Sequence, residues 1–297
     1  YQNIYNNLTY INKSKGTSKS IRNLLRCFGV DDELFSINFY ADNQTFKPEG
    51  SYRFTTTRKK FADFSRPGRF DSVVFQSTAS SNANSSGYLN HSEDTSSGFD
   101  MNIGMTFEAD IHFPIPVDTR LDTVISGGFG HISSSMFGVH TAKASAADLD
   151  WASNDYGNFQ VYAVRDELKS PNSKNAYFLL TSTTNGIMAS NEITSSLFYD
   201  VYDNQKWSFA VVVKPSNYPN TGYVSGSVHD YILEFHGYNM TGDLISDSFL
   251  VTASVSNTIG RRFVTSRKRF YAGAHRQNFV ESVIDSSDIR ASNCRIW

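Results

Sequence analysis

Two carboxylates stand two residues apart in a stretch of alternating side chains. Glu108 and Asp110 would point to the same face of a strand over residues 105–113, because successive side chains of a strand alternate between its faces. Retaining glycosidases use two carboxyl groups about 5–5.5 Å apart as acid and nucleophile. The other face of this strand is apolar and consists of Phe107, Ala109, Ile111 and Phe113. We therefore expect the apolar face to lie in the core, both carboxylates to face solvent, and neither to be catalytic.

Acidic residues that could supply oxygen ligands for a metal ion are concentrated near the middle of the chain. They are Asp148, Asp150, Asp155, Asp166 and Glu167. Carboxylate oxygens suit Ca²⁺, but their spacing matches no dedicated loop such as an EF-hand. Solvated acidic residues between strands are the simpler interpretation. The sequence predicts no cofactor, and Ca²⁺ is the one metal that this pattern leaves open.

The histidines and cysteines give no prediction of a catalytic residue. The 7 histidines are scattered, and no Ser-His-Asp order follows from their spacing. His275 and Arg276 are interpreted as turn residues, with the rim of a binding site as the alternative. Cys27 and Cys294 belong to no Cys-x-x-Cys motif, so we expect reduced, mostly buried thiols and no metal site.

One loop has the composition of a carbohydrate site. Trp151, Asn154, Asp155 and Tyr156 combine aromatic rings with hydrogen-bonding side chains. Rings stack on the apolar faces of sugars, while sugar hydroxyls need polar partners. These four residues are the predicted glycan-binding set, and the alternative is that Trp151 caps the edge of the core.

Composition and charge exclude several classes of protein. Aromatic residues make up 14% of the 297 residues and charged residues only 19%, which favours strands around a sizeable core. The net charge of −2 provides no global field that would recruit nucleic acid or an anionic membrane. The apolar runs fall far short of the roughly 20 residues that span a bilayer. Both chain ends suggest that the sequence is cut from a longer polypeptide.

The strand pattern is clearest over residues 206–213, where Trp207, Phe209, Val211 and Val213 alternate with smaller side chains. Pro215 should end this strand, because proline has no N–H to donate. About ten such strands are predicted beyond residue 100, with almost no helical periodicity. Two antiparallel sheets stacked as a jelly-roll sandwich over residues 105–297 are the predicted fold.

The N-terminus has a different, helical pattern. A first short helix should precede Lys15, and a second should start after the N-cap Thr17 and end at Gly29. Its apolar face consists of Ile21, Leu24, Leu25 and Phe28. A strand is predicted at 34–40. Residues 1–45 are therefore predicted to be a docking segment that consists of the two short helices and this strand. Residues 46–104 are predicted to be connecting strands and a polar low-complexity loop.

Two resemblances follow from these patterns. Residues 105–297 resemble laminin-G/concanavalin-A-like jelly rolls through Phe107-Glu-Ala-Asp-Ile111, the Trp207 strand and Arg269-Phe-Tyr-Ala-Gly-Ala-His275. The opening, Asn7-Leu-Thr-Tyr-Ile-Asn-Lys-Ser-Lys-Gly-Thr17 followed by a helix and Phe28-Gly29, resembles tail and baseplate proteins of tailed phages. It is also similar to uncharacterised large structural proteins of marine phages. Jelly-roll glycosidases carry a Glu-x-Asp-x-x-Glu triplet, which Phe113 leaves incomplete here.

The resemblances imply a non-enzymatic structural protein of a virion, located in the tail, the baseplate or the exterior. The helix with Ile21, Leu24, Leu25 and Phe28 would dock into other virion subunits as part of a homo- or hetero-oligomer, and the sandwich could bind a host-surface glycan. An extracellular lectin-like module is the first alternative, and a jelly-roll glycoside hydrolase is the second. No nucleic-acid partner and no membrane span are expected.

Overall fold

The computed structural model describes most of the chain in segments. These are residues 1–31, 34–35, 37, 60–76, 89, 103–115, 131–141, 151, 157–166, 173–183, 186–188, 192–217, 230–241, 244–279 and 281–297. The chain divides into two compact units, Tyr1–Arg58 and Lys59–Trp297.

The described part of the first unit contains two short helices, as the sequence predicts. Helix α1 spans Gln2–Lys13, and helix α2 spans Ser18–Cys27. Thr17 occupies the N-cap position of α2, but its hydroxyl donates to the Ser14 carbonyl at 2.7 Å and caps no N–H group. Gly29 follows α2 with φ +81°, the left-handed conformation that favours glycine at a helix end.

The predicted apolar face of α2 is exposed within its own unit. Ile21, Leu24 and Phe28 are 45%, 39% and 66% exposed, and Leu25 is half-buried. Neither helix contains a buried residue. Among the described residues, no helix is long and apolar enough to cross a bilayer.

The second unit is an antiparallel β-sandwich. Its strands are β1 (Ala62–Asp63), β2 (Val73–Phe75), β3 (Met105–His112), β4 (Ser133–Thr141), β5 (Phe159–Arg165), β6 (Ala176–Ser182), β7 (Glu192–Thr194), β8 (Lys206–Pro215), β9 (Tyr231–Thr241), β10 (Leu244–Val255), β11 (Lys268–Gly273), β12 (His275–Arg276), β13 (Val283–Asp285) and β14 (Arg290–Ile296). The first sheet has the order β1-β14-β3-β8-β9-β10, and the second has the order β2-β11-β4-β5-β6-β7. Strands β12 and β13 form a separate pair. The predicted jelly-roll sandwich is therefore confirmed.

Strand β8 ends at Pro215, as predicted, although Pro215 is itself paired with Tyr231 and the Ser216 N–H donates to the Asp230 carbonyl. Two other local features differ from the sequence prediction. A helix that the pattern did not predict, α3 (Asn257–Thr265), follows β10 and buries Phe263 and Val264. The strand predicted at 34–40 lies largely outside the described residues, and its described members are not in a strand.

Aromatic rings from both sheets meet between them. Phe178 of β6 lies 4.9 Å from Trp207 and 4.7 Å from Phe209 of β8, measured between ring centroids. Phe107 of β3 lies 5.3 Å from Phe159 of β5 in the same way. All five side chains are at most 2% exposed. Edge-to-face and tilted contacts of this kind add to the free energy gained by burying the rings.

We expect Phe178→Ala to lower the free energy of unfolding by about 3–5 kcal/mol, because the cavity would separate rings of both sheets. Urea titration measures this loss. As a control, Val74→Ala removes methyl groups from a side chain that is 58% exposed and should change stability by less than about 0.5 kcal/mol. Equal effects of the two substitutions would contradict the inter-sheet packing described here.

Candidate functional site

The outer face of the first sheet has a depression where β8 carries its smallest side chains. Ser208 is paired with Asp110 of β3 on one side and Tyr238 of β9 on the other, and Ala210 lies between Glu108 and His236. The longer neighbours rise on both sides of this small-residue floor. The resulting pocket has a volume of about 310 Å³. We call it the outer groove, and its lining residues are Glu108, Asp110, Ser208, Phe209, Ala210, Tyr238, Asn293 and Arg295.

Asp110 is held in place by three donors. Lys206 Nζ lies 2.6 Å from Oδ2, Ser208 Oγ donates to Oδ1 at 2.6 Å, and Asn293 Nδ2 donates to Oδ2 at 2.7 Å. Burial alone would raise the pKa of Asp110, but these hydrogen bonds outweigh it and hold the pKa below its usual value. Asp110 is therefore a fixed, ionised acceptor at neutral pH.

A β-bulge brings Asn293 to the groove. Between Ser292 and Arg295, the register of β14 against β3 shifts, so that an extra residue enters β14. Asn293 adopts φ +50°, a left-handed conformation that asparagine tolerates better than most residues. In this bulge Cys294 is an exposed residue, yet burial of its thiol group raises the thiol pKa to about 11, so the expected burial holds for the sulfur and not for the residue as a whole. Both cysteines are free, and Cys27 is half-buried.

The orientation predicted for the two carboxylates is confirmed. Glu108 and Asp110 share the outer face of β3, while Phe107, Ala109 and Ile111 are buried on the other face. The sequence did not place Tyr238, Asn293 or Arg295 beside them, because strand pairing brings together positions far apart in the chain. With Tyr238 39% exposed, the groove combines an accessible ring with carboxylate, amide and guanidinium groups.

A second polar cluster lies on the outer face of the second sheet. Gln160 of β5 accepts a hydrogen bond from the Tyr271 hydroxyl, and its own amide donates to Ser135 Oγ at 2.8 Å. The Tyr162 hydroxyl is hydrogen-bonded to His275 Nδ1. Because most of these atoms bond to one another and the side chains are buried, we interpret the cluster as a structural polar layer.

Trp151 belongs to this layer. Its ring lies 4.4 Å from the His275 ring at an interplanar angle of 85°, and 5.7 Å from the ring of His140. The other predicted glycan-binding residues, Asn154, Asp155 and Tyr156, lie outside the described residues. His275 and Arg276 form strand β12, and His275 is 1% exposed, so the interpretation of His275 as a turn residue is wrong.

The predicted calcium ligands are mostly beyond the described segments. Only Asp166 of the five acidic residues falls within them. Across the described ranges, no three His, Cys, Asp or Glu side chains lie close enough together to hold a metal ion.

The helical unit carries a cationic groove of about 560 Å³. Its lining residues are Tyr10, Lys13, Ser14, Lys19, Arg22, Asn23 and Arg26. The sequence contains no Asp or Glu before Asp31, whereas the whole chain has a net charge of −2. The groove therefore provides a local positive field on a weakly acidic chain.

Comparison with known proteins does not assign this chain to a family. No known family and no curated protein matches the sequence. An alginate lyase from Klebsiella pneumoniae can be aligned over 66% of this chain and 60% of its own length, at 9% identity and a TM-score of 0.31. The chain thus spans 60% of the length of that solved structure. We draw no conclusion about activity from a likeness of this size.

We expect the second unit to lose stability as the pH falls from about 6.5 towards 3. Burial, and then the neighbouring His140, lower the pKa of His275 from 6.5 to about 3. The unfolded chain therefore binds a proton in this range that the folded chain does not, which costs up to about 1.4 kcal/mol per pH unit. Free energies of unfolding between about pH 6.5 and 5, where most carboxylates stay ionised, measure this slope.

His275→Gln should flatten that slope, whereas the control His112→Gln should keep most of it. The pKa of His112 is also lowered, by burial and then by Arg290 and Lys206, but this side chain is less buried. A slope that survives His275→Gln unchanged would contradict the buried, neutral state of this histidine.

Proposed function

We propose that this protein is a non-enzymatic structural protein of a virion, of the phage tail or baseplate type. Its helical unit docks onto other virion subunits, and its β-sandwich binds a glycan through the outer groove. The observation that carries the binding role is the outer groove itself, with an exposed tyrosine beside a fixed carboxylate. The location in a virion rests on the opening Lys-Gly-Thr and helix pattern of the sequence.

The groove has the two kinds of group that sugars need. The Tyr238 ring offers a face on which the C–H groups of a sugar can stack, and Asp110 and Asn293 offer an acceptor and an amide for its hydroxyls. Three donors already hold Asp110, so little side-chain entropy is lost when a ligand binds. The volume of about 310 Å³ is enough for one or two sugar rings.

A binding role fits the carboxylates better than hydrolysis does. A glycosidase needs one carboxyl group that stays protonated and donates to the leaving oxygen. Asp110 is ionised, because its contacts with Lys206, Ser208 and Asn293 lower its pKa, so it is not that acid. The third position of the Glu-x-Asp-x-x-Glu triplet is Phe113, which is buried and has no proton to donate. A glycan-binding groove fits a lectin-like module of a cellular protein as well as it fits a virion protein. Docking of the helical unit onto virion subunits is what distinguishes these two functions.

Docking is supported by two properties of α2. Ile21, Leu24 and Phe28 form an exposed apolar face, and Arg22 and Arg26 line a cationic groove. A surface on another virion subunit that has an apolar patch beside acidic residues complements both features, because apolar contacts give affinity while opposite charge gives register and a fast encounter. Nucleic acid would leave the apolar face uncovered.

We expect Tyr238→Ala to weaken glycan binding by about tenfold, the effect of losing roughly 1–2 kcal/mol of stacking. Ala210→Phe, which fills the floor of the groove, should abolish binding. A glycan array identifies a ligand, and calorimetry then measures its affinity. Tyr199→Ala is the matched control, because Tyr199 is 68% exposed and does not line the groove. Equal affinities for all three variants, or polysaccharide turnover that is lost in Glu108→Gln, would refute the proposal.

We expect the double substitution Arg22→Glu and Arg26→Glu to prevent incorporation of the protein into particles, because it reverses the charge of the cationic groove. Lys15→Glu, in the turn outside the groove, should leave incorporation intact. Electron microscopy of intact particles, with the variant supplied during assembly, measures occupancy. A wild-type protein that is missing from purified particles would leave the cellular lectin as the better assignment.

A further inference from the structure

The outer edge of the first sheet is unusually long and open. Among the described strands, β9 is the sole pairing partner of β10, which runs for 12 residues. The other three edge strands of the two sheets, β1, β2 and β7, have 2, 3 and 3 residues. Every second residue of an edge strand directs its backbone N–H and C=O groups away from the sheet, so a long edge is a template for another strand.

β10 lacks the residues that usually protect such an edge. It contains no Lys, Arg or Pro, and Asp247 is its single charged residue. Its one irregularity lies between Ile245 and Asp247, which leaves Ser248–Val255 regular. Leu250 on its outer face is 54% exposed. Within the described segments, no backbone hydrogen bond from another element reaches the free edge of this strand.

We propose that β10 pairs antiparallel with β10 of a second copy of this chain, about a two-fold axis at Leu250. In this register, Leu250 lies opposite its own counterpart, and Ser248 lies opposite Thr252 of the partner. Asp247 lies opposite Ala253, so no like charges meet. Shifting the register by two residues places Leu250 opposite Ser248 or Thr252, which loses the apolar match. The strand is thus self-complementary, as an isologous interface requires.

The dimer has one sheet of twelve strands, since each copy contributes the six of its first sheet. A two-fold axis perpendicular to this sheet leaves both outer grooves on the same side. Tyr238 is paired with Ser248, and His236 with Leu250, so the grooves lie level with the axis. With strands about 4.8 Å apart, the two copies of β8 are five spacings, or roughly 24 Å, from each other. This bivalent arrangement, which rests on the proposed glycan binding, suits a repeating polysaccharide.

Sedimentation equilibrium of the full chain tests the proposal. The wild-type protein should show a monomer–dimer equilibrium, and Leu250→Lys should be monomeric at the same concentrations. Ile284→Lys, which changes a similarly exposed side chain on β13 (48% exposed), should still dimerise. So should Leu24→Glu, which disrupts the apolar face of α2. A monomeric wild type, or a dimer lost in Leu24→Glu but kept in Leu250→Lys, would overturn the proposal.

Disulfide trapping tests the register. In a Cys27→Ser, Cys294→Ser background, Leu250→Cys should oxidise to a covalent dimer, because facing residues of antiparallel strands lie about 4.5–5.5 Å apart at Cα. Thr252→Cys alone should not, since its two copies are about 14 Å apart along the strand. Mixing it with Ser248→Cys should restore cross-linking. Equal cross-linking by Leu250→Cys and Thr252→Cys would refute the two-fold axis at Leu250.

Glycan binding separates this proposal from the proposed function. A single short oligosaccharide should bind Leu250→Lys and the wild type equally, whereas a long polysaccharide should bind Leu250→Lys at least tenfold more weakly. A dimer that binds no glycan would refute the proposed function alone. Equal affinity of monomer and dimer for the polysaccharide would refute the bivalent arrangement.

Discussion

The contact between aromatic rings of the two sheets is the constraint on which the rest of the second unit depends. Phe178 lies against Trp207 and Phe209, so one face of β8 is committed to the core. Strand geometry then directs Ser208 and Ala210 outwards, into the floor of the outer groove. Pairing with β3 and β9 fixes which polar side chains stand beside that floor. The surface chemistry of the first sheet is thus a consequence of the packing beneath it.

Period-two alternation predicted the sandwich because it reports burial directly. It locates β6 and β8, and it assigns Glu108 and Asp110 to the outer face of β3. It could not give the order of strands, since pairing partners are far apart in the chain. It also missed α3, whose buried Phe263 and Val264 are too few to establish a helical period.

The sequence predicts only part of the candidate site, because strand pairing brings together residues that are far apart in the chain. The two carboxylates and the small residues of β8 are local patterns, but Tyr238 joins them through pairing with Ser208, and Asn293 joins them through a bulge. Trp151 was identified as an aromatic in a polar loop, and the structure places it against His275, more than a hundred residues away. The neighbourhood of a side chain in a β-sandwich is set by register, which single-residue patterns do not contain.

The small floor of the outer groove can change its shape without refolding of the sandwich. Positions 208 and 210 contribute nothing to the core, because their neighbours Trp207, Phe209 and Val211 fill it from the opposite face. A lineage can therefore deepen, narrow or close the depression by exchanging two outward-facing side chains. Under the proposed glycan binding, related chains with an unchanged interior would differ in the sugars that their grooves accept, and the residues at 208 and 210 would sort them by specificity.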